Sequence, residues 1–193
     1  MANYDFFAYI SRMKYIKRWC LMHSEVEENI KEHSFDVCVI AHALAVIGNV
    51  YFGKNHDVEK VLLYAAYHET SEVITGDLPT PIKYFNEKIN VAYKDLERLS
   101  CEKLLSTLPA EIAEEYKRSV LPDTSSPEYK LVKYADRLSA YIKCLEELKI
   151  GNKEFVKAKT SIYKDIEKAD SDEVRYFVKN VLPVYGKTLD ELE

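Results

Sequence analysis

Five glycines and six prolines are few for a chain of 193 residues. That scarcity excludes collagen-like and low-complexity chains and leaves long stretches with nothing local to interrupt a helix. Clustered cysteine is lacking too. Cys20, Cys38, Cys101 and Cys144 stand far apart, with no CxxC pair and no zinc-type spacing, so they read as reduced thiols of a cytoplasmic protein. There is no excess of positive charge: 27 Lys and Arg face 32 Asp and Glu, and a formal net charge of −5 supplies no field for a phosphate backbone. A nucleic-acid polymer is therefore not an expected partner, although a few local Arg or Lys residues suffice for a small anion. The longest apolar run, Val37 to Ile47, is broken by His42 and falls well short of the roughly 20 residues that span a bilayer. The opening segment to Tyr15 has no signal-peptide core, because Asp5 and polar neighbours break it. Neither a membrane nor export is expected.

What the chain does have is 47% hydrophobic residues, mostly at helical spacing. A chain of this length buries about 70% of its unfolded surface, enough for one core with a site inside it. The expectation is an all-α fold, a single compact domain over residues 1–193 with about seven to nine helices. The first helix runs from Asp5 to Arg18, and the second from His33 to a stop at Gly48-Asn49. Asp57 caps a third from Val58 to Thr75, and GDLPTP at 76–81 makes a rigid turn. A long amphipathic stretch covers 85–108, followed by a helix with Pro109 in its first turn. Ser125-Ser126-Pro127-Glu128 opens a helix to Lys149 that stops at Gly151-Asn152. Asn152 and Asp170 cap two more, and Thr188 with Glu191 caps a terminal turn. Tyrosine-rich pieces never alternate long enough to make a sheet.

Chemistry is sought where polar residues fall on stripes that should be buried. His33, Val37, Ile40, Leu44 and Ile47 share one face, with His33 at its head. On the third helix Val61, Ala65, His68 and Glu72 share a face, and at 100° per residue His68, Glu69 and Glu72 lie within one arc of roughly 100°. Either that arc is a wet helix end, or the acids and imidazole face a core and need a cation. His33 is either a core histidine or a ligand. Asp136, in KYADRLSAY beside small residues, is either a surface partner of Lys133 or Arg137 or a further ligand. Taken together, His33, His68, Glu69 and Asp136 make a mixed imidazole and carboxylate set from three helices. Such a set suits one first-row ion, with Mn²⁺, Fe²⁺, Co²⁺ or Ni²⁺ favoured and Zn²⁺ accepted, and its open positions imply catalysis on water and a phosphoryl group. His42 sits on another row, and His23 and His56 fall in loops without partners at ligand spacing.

Several segments carry a resemblance: FFAYISRMKYIKRW at 6–19, EHSFDVCVIAHALA at 32–45, AAYHETSEVITGDLPTPIKYFN at 65–86, LVKYADRLSAYIKCLEEL at 131–148 and GNKEFVKAK from 151. The chain resembles HD-domain phosphohydrolases, and most closely the bacterial 5'-deoxynucleotidase (YfbR-like) family. The resemblance implies an HD-domain bundle that hydrolyses deoxyribonucleoside 5'-monophosphates, a divalent metal, commonly cobalt or manganese with Mg²⁺ also accepted, and a homodimer. By it, His33, His68, residue 69 and Asp136 are the metal ligands and Glu72 the catalytic acid/base. Arg18 holds the phosphate, and Trp19 with Asp77, Leu78, Pro79 and Thr80 contacts the nucleoside. One departure is Glu69, where the family has Asp: the charge is kept but the carboxylate reaches one methylene further. Two rival readings are an HD hydrolase of nucleoside di- or triphosphates, and a nucleotide-binding regulatory module in which Glu69 impairs turnover.

Overall fold

A computed structural model describes residues 4–192. Among them there are eight α-helices of seven residues or more, two four-residue helical turns and four short 3₁₀ segments. Among the described residues the only strand-like pairing is an isolated antiparallel bridge between Lys17 and Asn29. The all-α expectation is met. The described chain divides into two compact units, each discontinuous in sequence: residues 4–23, 27–35 and 66–123 form one, and residues 24–26, 36–65 and 124–192 the other.

In the first unit, α1 (Asp5–Ser11) and a 3₁₀ turn (Arg12–Tyr15) replace the expected helix to Arg18. Arg18 instead lies in a bend outside any helix, its N–H donating to Glu28 O at 2.9 Å. α4 (Glu72–Thr75) and α5 (Thr80–Lys83) are single turns, and α6 (Glu87–Leu105) and α7 (Ala110–Val120) are full helices. Asn86 starts α6 by accepting from Ile89 N–H, and Pro109 stands just before α7 rather than inside it. The core of this unit is Phe6, Cys101, Leu104, Leu105, Leu108 and Val120. Phe6, fully buried, meets the rings of Phe7, Tyr67 and Tyr116.

The second unit is built on α8 (Pro127–Lys149), α9 (Val156–Glu167) and α10 (Asp172–Asn180). Ser126 caps α8, Asn152 caps the 3₁₀ turn before α9, and α10 is capped by Ser171 rather than Asp170. The terminal Thr188–Glu191 capping box is present. Val37, Ile40, Leu44 and Ile47 are buried here with Val61, Ala65, Leu131, Val132, Leu138 and Phe177.

Two long helices depart from expectation. α2 (Ile30–Tyr51) starts three residues early, because the Asn29 side chain accepts from Lys31 N–H and Glu32 N–H, both at 3.0 Å. It also runs through Gly48, which lies there because a Cβ would come 2.8 Å from the His56 ring and 2.9 Å from Glu173. By length and composition alone α2 could cross a bilayer, but its Val37 and Leu44 are fully buried in a core and it carries the buried His33, which marks a core helix. α3 (Val58–Tyr67) ends eight residues early. Thr70 N–H bonds Tyr67 O and Glu72 N–H bonds Glu69 O, tight three-residue closures that break the helix between His68 and Ser71. The helical arc expected for His68, Glu69 and Glu72 therefore does not exist, and a turn presents these side chains instead.

Candidate active site

His33, on the first turn of α2, is fully buried, and its ring lies 5.3 Å from that of His68. Glu69 faces both: Oε1 is 3.0 Å from His68 Nε2 and 3.8 Å from His33 Nε2. His33, His68 and Glu69 thus stand within reach of one another in the first unit, two imidazoles and a carboxylate of the kind that holds a metal ion. Asp136, on α8 of the second unit, pairs with Lys133 at 3.0 Å, the surface partner that the sequence offered it.

Glu72 follows on α4 and is 6% exposed. Burial, the Glu69 charge, a hydrogen bond to Glu69 and the Asp77 charge push its carboxyl up to about 11, against a smaller downward pull from Arg18. Asp77 is also raised, by burial first and Glu69 after it, while Arg18, Lys83 and the Trp19 N–H pull it down. Three carboxylates crowded against one guanidinium make a local excess of negative charge that a cation relieves. At the edge of this cluster Lys83 is held by Glu97 at 2.7 Å and lies 4.8 Å from the Tyr93 ring centre. Burial alone would lower the Lys83 ammonium, but Glu97 outweighs it and the pKa is raised.

The loop from Ile16 to Asn29 delivers Arg18 and Trp19. Trp19 takes φ 59°, the left-handed region, which costs a bulky residue about 1–3 kcal/mol and persists only where surroundings impose it. Three contacts do so. Its indole Nε1 donates to Glu28 Oε2 at 2.7 Å, its backbone N–H donates to Asp77, and its carbonyl accepts from Met22 N–H at 2.8 Å. Arg18 Nε lies 3.3 Å from the same Glu28 oxygen. Gly76, at φ 72°, turns the chain from α4 into Asp77. Leu78 and Pro79 are half-buried and Thr80 is exposed at the start of α5. The structure thus brings Arg18, Trp19 and Asp77 together. His42 and His23 are exposed, and His56 bonds Glu173 at 2.9 Å.

Glu28 was not singled out from sequence. It is one of four acids in SEVEENIKEH, and only the Asn29 cap beside it, which fixes its place just ahead of His33, sets it apart. Lys83, Glu97 and Tyr93 carry no sequence signal at all.

The family model described as 5'-deoxynucleotidase YfbR-like matches residues 5–185. The chain belongs to that family. Similar relatives include the 5'-deoxynucleotidase of Vibrio cholerae serotype O1, 46% identical over 193 residues and covering 100% of both chains. Another, from Photorhabdus temperata, is 48% identical over 189 residues, covering 97% of this chain and 95% of its own. Among solved structures, an HD-domain phosphohydrolase of Listeria innocua superposes with a TM-score of 0.83 at 24% identity, covering 94% of this chain and 88% of that one. A cyanophage S-2L HD phosphohydrolase, bound to dA and one catalytic Zn²⁺ ion, has a TM-score of 0.65 at 18% identity, covering 91% and 95%. These likenesses establish the HD-type fold for this YfbR-like chain.

Proposed function

We propose that the chain is a metal-dependent 5'-deoxynucleotidase that converts deoxyribonucleoside 5'-monophosphates to deoxynucleoside and orthophosphate, acting as one HD domain over residues 1–193. The observation that carries this reading is the meeting of two imidazoles and a carboxylate, His33, His68 and Glu69, in the first unit of a chain whose full-length relatives are named 5'-deoxynucleotidases. Ligands about 2.0–2.2 Å from one ion lie at most about 4.4 Å apart, and Glu69 Oε1 stands 3.0 Å from His68 Nε2 and 3.8 Å from His33 Nε2, inside that limit. The donor set also has the right chemistry: mixed nitrogen and oxygen donors suit Co²⁺ or Mn²⁺, and Zn²⁺, Ni²⁺, Fe²⁺ or Mg²⁺ less selectively. The dA and single Zn²⁺ of the cyanophage neighbour support both the one-ion reading and the deoxynucleoside ligand. When bound, the ion supplies a polarised phosphoryl oxygen and a water of lowered pKa.

The chain's own residues do the rest. His33, His68, Glu69 and Asp136 hold the ion. Arg18 offers a forked guanidinium to the phosphate oxygens and offsets charge on the transferring group. Glu72 moves the proton, taking it from the attacking water or handing it to the 5'-oxygen as the P–O5' bond breaks. Trp19 packs against the nucleoside and walls off a ribose 2'-hydroxyl. Asp77 accepts from a sugar hydroxyl, and Leu78, Pro79 and Thr80 close the loop around it.

Orthophosphate release from a panel of deoxy- and ribonucleoside 5'-monophosphates, each with Mn²⁺, Co²⁺, Zn²⁺ and Mg²⁺, tests the reading. Release from the deoxy series well above the ribo series is expected. Pyrophosphate from a triphosphate would instead make the chain a triphosphate hydrolase, and tight nucleotide binding without hydrolysis under every ion would make it a regulatory module.

The protein acts in the cytoplasm as a homodimer. Phe35, Val39, Val46 and Val50 support the dimer: they form one exposed apolar stripe along α2, at 70%, 50%, 39% and 65% exposure, of the kind that marks an interface. Sedimentation should give a species of twice 22.4 kDa, and a single monomer-sized species would remove this part of the reading.

A further inference from the structure

The Glu28 carboxylate stands between two groups of residues with different tasks. Its Oε1 lies 3.8 Å from His33 Nδ1, the ring nitrogen opposite the one that faces Glu69. Its Oε2 accepts from Trp19 Nε1 at 2.7 Å and lies 3.3 Å from Arg18 Nε. One carboxylate, its side chain only 10% exposed, thus serves a metal-ligand histidine with one oxygen and the nucleotide-contacting pair with the other. A metal-ligating imidazole commonly has a carboxylate at its far nitrogen, which fixes the tautomer and strengthens the ligand. Here that carboxylate has a second client, a tryptophan held in a strained backbone conformation.

We propose that Glu28 is a positioning residue that couples the metal centre to the nucleoside subsite, so that filling either one tightens the other. The inference rests on the 5'-deoxynucleotidase reading and adds to it a linkage between two ligands. His33 would present Nε2 to the ion while its Nδ1 faces Oε1 across 3.8 Å, an electrostatic contact rather than a closed hydrogen bond. Trp19 presents its ring to the nucleoside because Nε1–H is fixed by Oε2. Any displacement of the carboxylate at one end is felt at the other, and binding free energies so coupled are reciprocal. Glutamine has a single acceptor oxygen, so a Gln at this position serves one client and abandons the other.

Calorimetric titration with Zn²⁺, in the presence and absence of saturating deoxyadenosine, tests this. Deoxyadenosine lacks the phosphate, so it has no group with which to ligate the ion strongly and report a direct contact. In the wild-type protein deoxyadenosine is expected to tighten Zn²⁺ by about fivefold or more, and Zn²⁺ to tighten deoxyadenosine by the same factor. Glu28→Gln is expected to weaken Zn²⁺ by about 10–100-fold and to reduce the mutual tightening to less than about twofold. A merely structural residue would lower affinity without changing that ratio. Independent binding of the two ligands to wild-type protein overturns the proposal, even if the variant does not fold, and so does an E28Q protein with wild-type affinity and wild-type coupling. Neither measurement involves turnover, so phosphate release by the wild-type protein judges the underlying reading separately.

Discussion

Glu72→Gln is expected to lower phosphate release from a deoxynucleoside monophosphate by about 10²–10⁴-fold, the usual contribution of a positioned proton-transfer group. The amide keeps the size of the carboxyl and neither takes nor gives a proton, so the fall should appear in kcat, with the affinity for metal and nucleotide nearly unchanged. Glu72 is suited to this test because it is nearly buried and bonded to Glu69 but is not one of the four proposed metal ligands. His68→Ala provides the contrast: it should lose the ion itself, with activity recovering only at high metal concentration. Single-turnover kinetics and metal titration together separate the two behaviours. Wild-type turnover in E72Q would take Glu72 out of the reaction.

Glu147→Ala is expected to destabilise the fold by about 3–5 kcal/mol, because it strands a buried ammonium. Glu147 is fully buried on α8 and bonds Lys143, itself 5% exposed, one turn earlier. Its oxygens also accept from Glu25 N–H at 3.0 Å, Val26 N–H at 3.1 Å and the Asn152 amide at 2.8 Å, while Lys143 donates to Val26 O. Burial by itself would raise this carboxyl, but Lys143 and the three N–H donors outweigh it and hold it at about 2. A folded-state pKa below the unfolded one means the contribution is present above the unfolded value, near 4.5, and is lost as the pH falls toward 2. Urea unfolding at neutral pH and at pH 3 should therefore show a smaller gap between wild type and variant in acid. Replacing both Lys143 and Glu147 by Met should recover much of the loss, since an apolar pair leaves no charge stranded. An E147A protein as stable as wild type would show that the clamp contributes nothing.

The long helices were legible because their information is local. The buried face of α2, with Val37, Ile40, Leu44 and Ile47, follows from spacing alone, as does the start of α8 from Ser126-Pro127. The errors came where distant residues decide. Gly48 reads as a helix stop until His56 and Glu173 are seen to fill the space a side chain would need. The Ile16–Asn29 segment has no period because its anchors lie elsewhere: Glu25 reaches Glu147, 122 positions away. For the site, residue types and spacing pick out His33, His68, Glu69 and Asp136, of which the first three meet in the first unit. The geometric reason given for His68 and Glu69, a shared helical arc, was mistaken, because a broken helix rather than a continuous one turns them inward. Glu28 escaped notice since its significance lies wholly in what it touches.

Trp19 is the only tryptophan in the chain. Its indole nitrogen rests on Glu28 and its backbone amide on Asp77, so all the tryptophan emission of the protein arises from one ring in the candidate site. Intrinsic fluorescence is thus a label already in place, reporting on this corner of the molecule without any added dye.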